Sequence, residues 1–143
     1  MKSLTLLILL LLVAANPSDA QQSAKITVRL INGTNGKPIK DKKVNIWLGG
    51  AGISWSDTDS KGRITLDVTS VQPPEIAVLP NFVFDCRSEK DSASGRLVKY
   101  SLGEIISKGV VGINQCGAVA VSPTPSVLVL FARPRTSQEK REL

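Results

Sequence analysis

Histidine is absent from this 143-residue chain, and other aromatic and sulfur side chains are few: two Trp, one Tyr, three Phe, two Cys and one Met. Without an imidazole there is no His-based catalytic triad, and most zinc sites and non-haem iron sites are removed in the same step. Aromatic residues make up 4% of the sequence, so the alternating rings that stack single-stranded bases are missing and no nucleic-acid partner is expected. Long apolar runs are scarce as well. The longest, Leu4 to Ala15, is about 12 residues, short of the roughly 20 needed to cross a hydrocarbon core.

What is present points to export. Lys2, the apolar run and the small-residue pattern Ser18-Asp19-Ala20 read as a secretory signal peptide over residues 1–20, with cleavage after Ala20. The mature chain then begins at Gln21 and carries no transmembrane segment. Its size suits one domain with an independent core. The net charge of +6 survives cleavage, because Lys2 and Asp19 leave together. Such a balance favours solubility and weak attraction to anionic surfaces. Both cysteines, Cys86 and Cys116, lie in the exported part, where pairing into one disulfide is the default. A secreted or periplasmic protein is expected.

Strand patterning dominates the mature chain. Ile26, Val28 and Leu30 alternate with Thr27 and Arg29, and Val44, Ile46 and Leu48 alternate with Asn45 and Trp47, the period-2 signature of strands with one face on a core. Between them, two Asn-Gly pairs and Pro38 supply turn residues. Asn32-Gly33-Thr34 also fits the N-glycosylation acceptor pattern, though a plain turn accounts for it. Gly49 to Gly52 lacks the Gly-Lys-Ser/Thr of a phosphate loop and is read as a loop or bulge. Ser54 to Thr58, the turn Asp59-Ser60-Lys61-Gly62 and Arg63 to Val68 read as a hairpin, with Gly62 supplying the positive φ.

The second half is less regular. Ser101-Leu102-Gly103-Glu104 matches a capping box and Gly109 a stop signal, predicting one short helix near residues 102–108, held close to Phe84 by the disulfide. Val127 to Ala132 is continuously apolar and is expected to be the final strand, buried on both faces. Thr136 to Glu139 can cap a polar turn within a C-terminal tail, residues 136–143. The last four residues, Lys140 to Leu143, are similar to an endoplasmic-reticulum retrieval signal, but Arg141 departs from it and a charged tail is the simpler reading.

The progression from a first strand through Gly36-Lys37-Pro38-Ile39, Val44-Asn45-Ile46-Trp47-Leu48 and Asp57-Thr58-Asp59-Ser60-Lys61-Gly62-Arg63-Ile64-Thr65-Leu66 resembles carboxypeptidase regulatory-like domains. These are prealbumin-like (transthyretin-like) β-sandwiches. The resemblance spans about Ile26 to Leu79 and implies an all-β fold, a Greek-key antiparallel sandwich of seven or so strands over residues 21–135. It implies little about activity, since such domains accompany or support other functions. Enzymes of this and related sandwich folds use histidines that this chain lacks.

The expected function is therefore a secreted, non-enzymatic module that binds a protein or a cell-envelope component. Trp47 and Trp55, if exposed on one side, form a platform for a sugar ring, which makes a carbohydrate-binding module the alternative. A third reading is an enzyme with an unrecognised Ser or carboxylate site. Asp57, Asp59 and Gly62 partly imitate a calcium loop, but the late bidentate Glu is missing and Lys61 intrudes. No metal site, catalytic residue or cofactor is expected. The basic cluster Lys37, Lys40, Lys42 and Lys43 is read as a solvated loop.

Overall fold

The computed structural model describes residues 23–87 and 97–141. The signal-peptide expectation, most of residues 87–96, whose sequence RSEKDSASGR reads as a charged, serine-rich loop, and the last two residues of the tail lie outside them. Among the described residues there are nine strands and one helix: β1 (Lys25–Asn32), β2 (Lys43–Leu48), β3 (Ile53–Asp57), β4 (Arg63–Asp67), β5 (Glu75–Pro80), β6 (Val83–Asp85), β7 (Lys99–Ser101), α1 (Leu102–Lys108), β8 (Val110–Val111) and β9 (Val127–Pro134). The all-β expectation holds. The arrangement is not uniformly antiparallel, however, and it has more strands than the seven or so expected.

One sheet runs β3-β2-β5-β7 and is antiparallel throughout. The other runs β4-β1-β9-β6, with β8 also pairing β9, and is mixed: β9 lies parallel to β1 and to β8 but antiparallel to β6. The parallel pairs are possible because long connections separate these strands in sequence, whereas a tight turn can only join antiparallel neighbours. We call these the second and first sheets respectively, by the position of β1.

The alternation seen in the sequence is what joins the sheets. Ile26, Val28 and Leu30 of β1 and Leu128 and Leu130 of β9 meet Val44, Ile46, Ile76 and Val78 of the second sheet in one core cluster. Helix α1 adds Leu102 and Ile105 to that cluster. It occupies the expected residues, and its Ser101 hydroxyl accepts the Glu104 N–H at 3.3 Å, an N-cap of the anticipated kind. Gly109 ends it with φ 79°.

The Asp59–Gly62 turn differs from expectation. It does not close a hairpin, because β3 pairs with β2 in one sheet and β4 pairs with β1 in the other. The turn is a corner between sheets. Gly62 has φ 68°, and its carbonyl accepts the Leu30 N–H at 2.7 Å, so the corner is stitched to β1. A Cβ at Gly62 would stand 2.6 Å from the Leu30 carbonyl oxygen, which leaves room only for glycine. The actual hairpin is β2–β3, closed by the Gly49–Gly52 loop.

The outward face of β9 is also apolar. Val129 and Phe131 form a second cluster with Ile31 and Cys86, and the segment following β8 lies over it through Val119, Val121 and Cys116. The Cys86–Cys116 disulfide is formed, and it anchors this strap rather than the helix. Asn114 locks the strap further: its amide donates to the carbonyls of Gly33 at 2.9 Å and Val119 at 3.0 Å, while its Oδ1 accepts the Cys116 N–H at 3.1 Å. At the end of the chain, Thr136 and Glu139 form the expected reciprocal cap, with distances of 2.7 and 3.3 Å. Arg133 grips the same carboxylate at 2.7 and 2.9 Å, and these hydrogen bonds hold Glu139 down to about 2.

The disulfide closes a loop with a separation of 30 residues, so Cys116→Ser should lower unfolding stability by about 3 to 4 kcal/mol in the chain-entropy view. Urea denaturation checks this. A loss below about 1 kcal/mol would mean that Asn114 and the apolar cluster hold the strap by themselves.

Candidate functional site

The two tryptophans lie on one face. In β2 the residues Val44 and Ile46 point to the core, so Asn45 and Trp47 point out, and the register of β3 sets Trp55 opposite Asn45 and Ile53 opposite Trp47. On the other side of β2, Leu79 lies opposite Asn45 and Ala77 opposite Trp47. The outer face of the second sheet therefore carries two adjoining rows, Trp55-Asn45-Leu79 and Ile53-Trp47-Ala77-Lys99.

Trp55 is 66% exposed and Ile53 is 56% exposed, while Trp47 is half-buried and Ala77 beside it is buried. Trp47 thus belongs partly to the sheet's own packing. Trp55 stands over the edge strand with one face toward Lys43, whose Nζ is 5.6 Å from the ring centroid, a cation–π contact. Polar groups border the rings. The Asn81 amide donates to Asn45 Oδ1 at 2.8 Å, and Lys99 pairs with Glu75 at 2.6 Å.

Sequence patterning anticipated both tryptophans but not their company. Ile53 had no assigned role, because the glycine-rich loop before it hid the start of β3, and only the pairing register brings it beside Trp47. The signal was available in the alternation Ile53-Ser54-Trp55-Ser56, which is period two with the large residues on one side.

The carboxylates are dispersed. Asp57 ends β3 opposite Lys43, Asp67 ends β4 and accepts the Thr69 N–H at 2.9 Å, and Asp59 sits in the corner turn. Asp59 Oδ1 accepts the backbone N–H groups of Lys61 and Arg63, each at 2.8 Å, and its Oδ2 meets the Arg63 guanidinium at 3.2 Å. Both oxygens are thus occupied by the turn itself, which is the physical reason the calcium-like spacing serves as a corner. Among the described residues no group of three or more His, Cys, Asp or Glu side chains is placed to hold a metal ion. Both cysteines are in the disulfide.

Also among the described residues, no helix is long and apolar enough to cross a membrane. No family model, curated protein or solved structure matches the chain.

The backbone hydrogen bond from Arg63, with further help from Lys61 and the Arg63 side chain, lowers the Asp59 pKa below the ordinary 3.8. Because the folded value is the depressed one, the stabilisation from this turn is complete above 3.8 and is lost as the pH falls through the lower folded value. Carboxyl NMR titration should place the Asp59 midpoint below 3.8. Addition of calcium should leave its resonance unmoved. A calcium-dependent shift would mean that the carboxylate is released from the turn.

Proposed function

We propose that this chain is an exported, non-enzymatic binding module that engages a protein or cell-envelope component through the outer face of its second sheet. The observation that carries the reading is the exposure of Trp55 and Ile53 on the same sheet face as Trp47. A rigid indole on a strand loses little conformational freedom on binding, and aromatic anchors of this type dominate recognition surfaces. The face sits on an edge: among the described residues β3 pairs only with β2, so a partner can reach both the tryptophan and the adjoining backbone.

The architecture proposed for the module is a Greek-key sandwich of the carboxypeptidase regulatory-like, prealbumin-like kind. Its support is the pair of sheets around one core and the turn motif at Asp59 to Gly62. Export is supported by the N-terminal sequence pattern and by the disulfide. The non-enzymatic reading rests on the dispersion of the carboxylates and the lack of histidine.

A second reading, carbohydrate binding, is favoured by the amides of Asn45 and Asn81 beside Trp55. An indole face stacks on the apolar side of a sugar ring while amides satisfy its hydroxyls.

Trp55→Ala distinguishes these readings from a bland surface. Since the side chain is 66% exposed, the substitution should change stability by no more than about 0.5 kcal/mol. Partner retention from an envelope or secreted fraction on the immobilised mature chain should fall by about 2 kcal/mol or more, as for an interface anchor. Equal retention by both proteins overturns the proposal. Tryptophan emission titrated with a glycan panel tests the second reading, which an unchanged spectrum at about 1 mM glycan, a weak-binding threshold, sets aside.

A further inference from the structure

The opposite side of the molecule holds a second, unrelated feature. On the outer face of the first sheet, Arg63 of β4 lies directly across from Arg29 of β1, and Arg29 lies beside Val129 of β9. The next row is Thr65-Thr27-Val127. Like charges directly opposite on paired strands repel, so this placement carries a cost within the free protein.

Only part of that repulsion is relieved internally. Asp59 engages Arg63, but Arg29 has no ion pair among the described residues, and neither does the nearby Lys61. The two arginines, Lys61, Thr27 and both valines line a groove of about 350 Å³. Its far wall is Val121, Ser122 and Thr124, where the disulfide-anchored strap leaves the sheet.

We infer that this groove binds the sulfate or carboxylate group of an acidic saccharide. The cationic end offers the Arg29 guanidinium fork, the side of the Arg63 guanidinium that Asp59 does not hold, and the Lys61 ammonium, and guanidinium groups pair with oxyanions through two parallel N–H donors. An anion between Arg29 and Arg63 turns their mutual repulsion into shared attraction. The hydroxyls of Thr27, Ser122 and Thr124 supply donors and acceptors for sugar hydroxyls. Half-buried Val127, with Val121 of the strap, gives an apolar floor for the ring carbons. Among the described residues no aromatic side chain lines the groove, so a nucleobase would find no stacking surface there.

The site is separate from the tryptophan face and does not depend on it. The mature protein, isotope-labelled, is titrated at low salt with a sulfated hexasaccharide, a uronic-acid hexasaccharide, the uncharged parent sugar, a single-stranded oligonucleotide and a glutamate-rich peptide. The expected result is movement of the amide signals of Thr27, Arg29, Arg63, Ser122 and Thr124 with at least one acidic saccharide, weakening as salt rises, and none with the uncharged sugar. Arg29→Gln and Lys61→Gln should each weaken that binding about tenfold, as loss of a charge-assisted hydrogen bond does. Lys37→Gln in the loop outside the groove should leave it unchanged.

Arg29→Gln carries an additional readout. By removing the cross-strand repulsion it should raise the thermal midpoint of the free protein while lowering saccharide affinity, a combination that a purely structural arginine would not give. The inference is overturned by silence of these amides at about 1 mM acidic saccharide, by shifts confined to the Lys37–Lys43 loop, by tighter binding of the oligonucleotide or the peptide, or by a lower midpoint in Arg29→Gln.

Discussion

Strand β9 is the constraint on which the rest of this molecule depends. It is hydrogen-bonded along both edges, to β1 on one side and to β8 and β6 on the other. Its residues 128–132 are all buried, whichever face they occupy. A strand that is apolar on both faces needs cover on both faces, because each exposed large apolar side chain forgoes about 1.5 to 3 kcal/mol of burial. The inner face is covered by the second sheet. Among the described residues no third sheet covers the outer face, and the strap from Gly112 to Val121 takes that place.

This requirement gives the second half of the chain its character. Cys86 and Cys116 hold the strap at one point, and Asn114 holds it at another through its hydrogen bond to the Gly33 carbonyl, while two more brace the strap internally. Gly33 and Gly117 let the strap approach the end of β1 closely; a Cβ on Gly117 would meet the Gly33 carbonyl oxygen at 2.7 Å. The strap also shapes the surface. It stops short of β4, so Arg29 and Arg63 remain open to solvent beside it. The two exposed faces thus differ in kind: one is basic and bordered by the strap, the other is aromatic and lies on the second sheet.

Local order was legible in the residues themselves. Alternation marked β1, β2 and β4 to within a residue or two, the Ser101 cap and Gly109 stop bounded α1, and the run VLVLFA announced a strand buried on both faces. The cysteine pairing followed from there being two in a sequence whose N-terminal pattern reads as an export signal. Pairing between distant segments was not legible. Nothing in the pattern of β1 says that β9, about a hundred residues later, will lie parallel to it, because period two specifies which face is buried and not which neighbour supplies the hydrogen bonds. The same limit turned the Asp59–Gly62 corner into an expected hairpin. Turn chemistry is alike in the two cases, and the sheet that each flanking strand joins is decided by core packing. Trp47 and Trp55 were visible as candidates, whereas Arg29 and Arg63 were not, since each reads singly as an ordinary solvent-facing residue until the β1–β4 register sets them opposite one another.

Strand β9 is then the most protected part of the molecule, and β3 is an open edge, with exposed residues and a single neighbour among the described residues. Native-state amide hydrogen exchange on the oxidised protein measures that directly. The slowest amides should be those of Leu128 to Ala132, and among the strands the fastest should include those of β3 that face away from β2. Protection of β3 equal to that of β9 would contradict both the doubly covered central strand and the open edge on which the proposed recognition face sits.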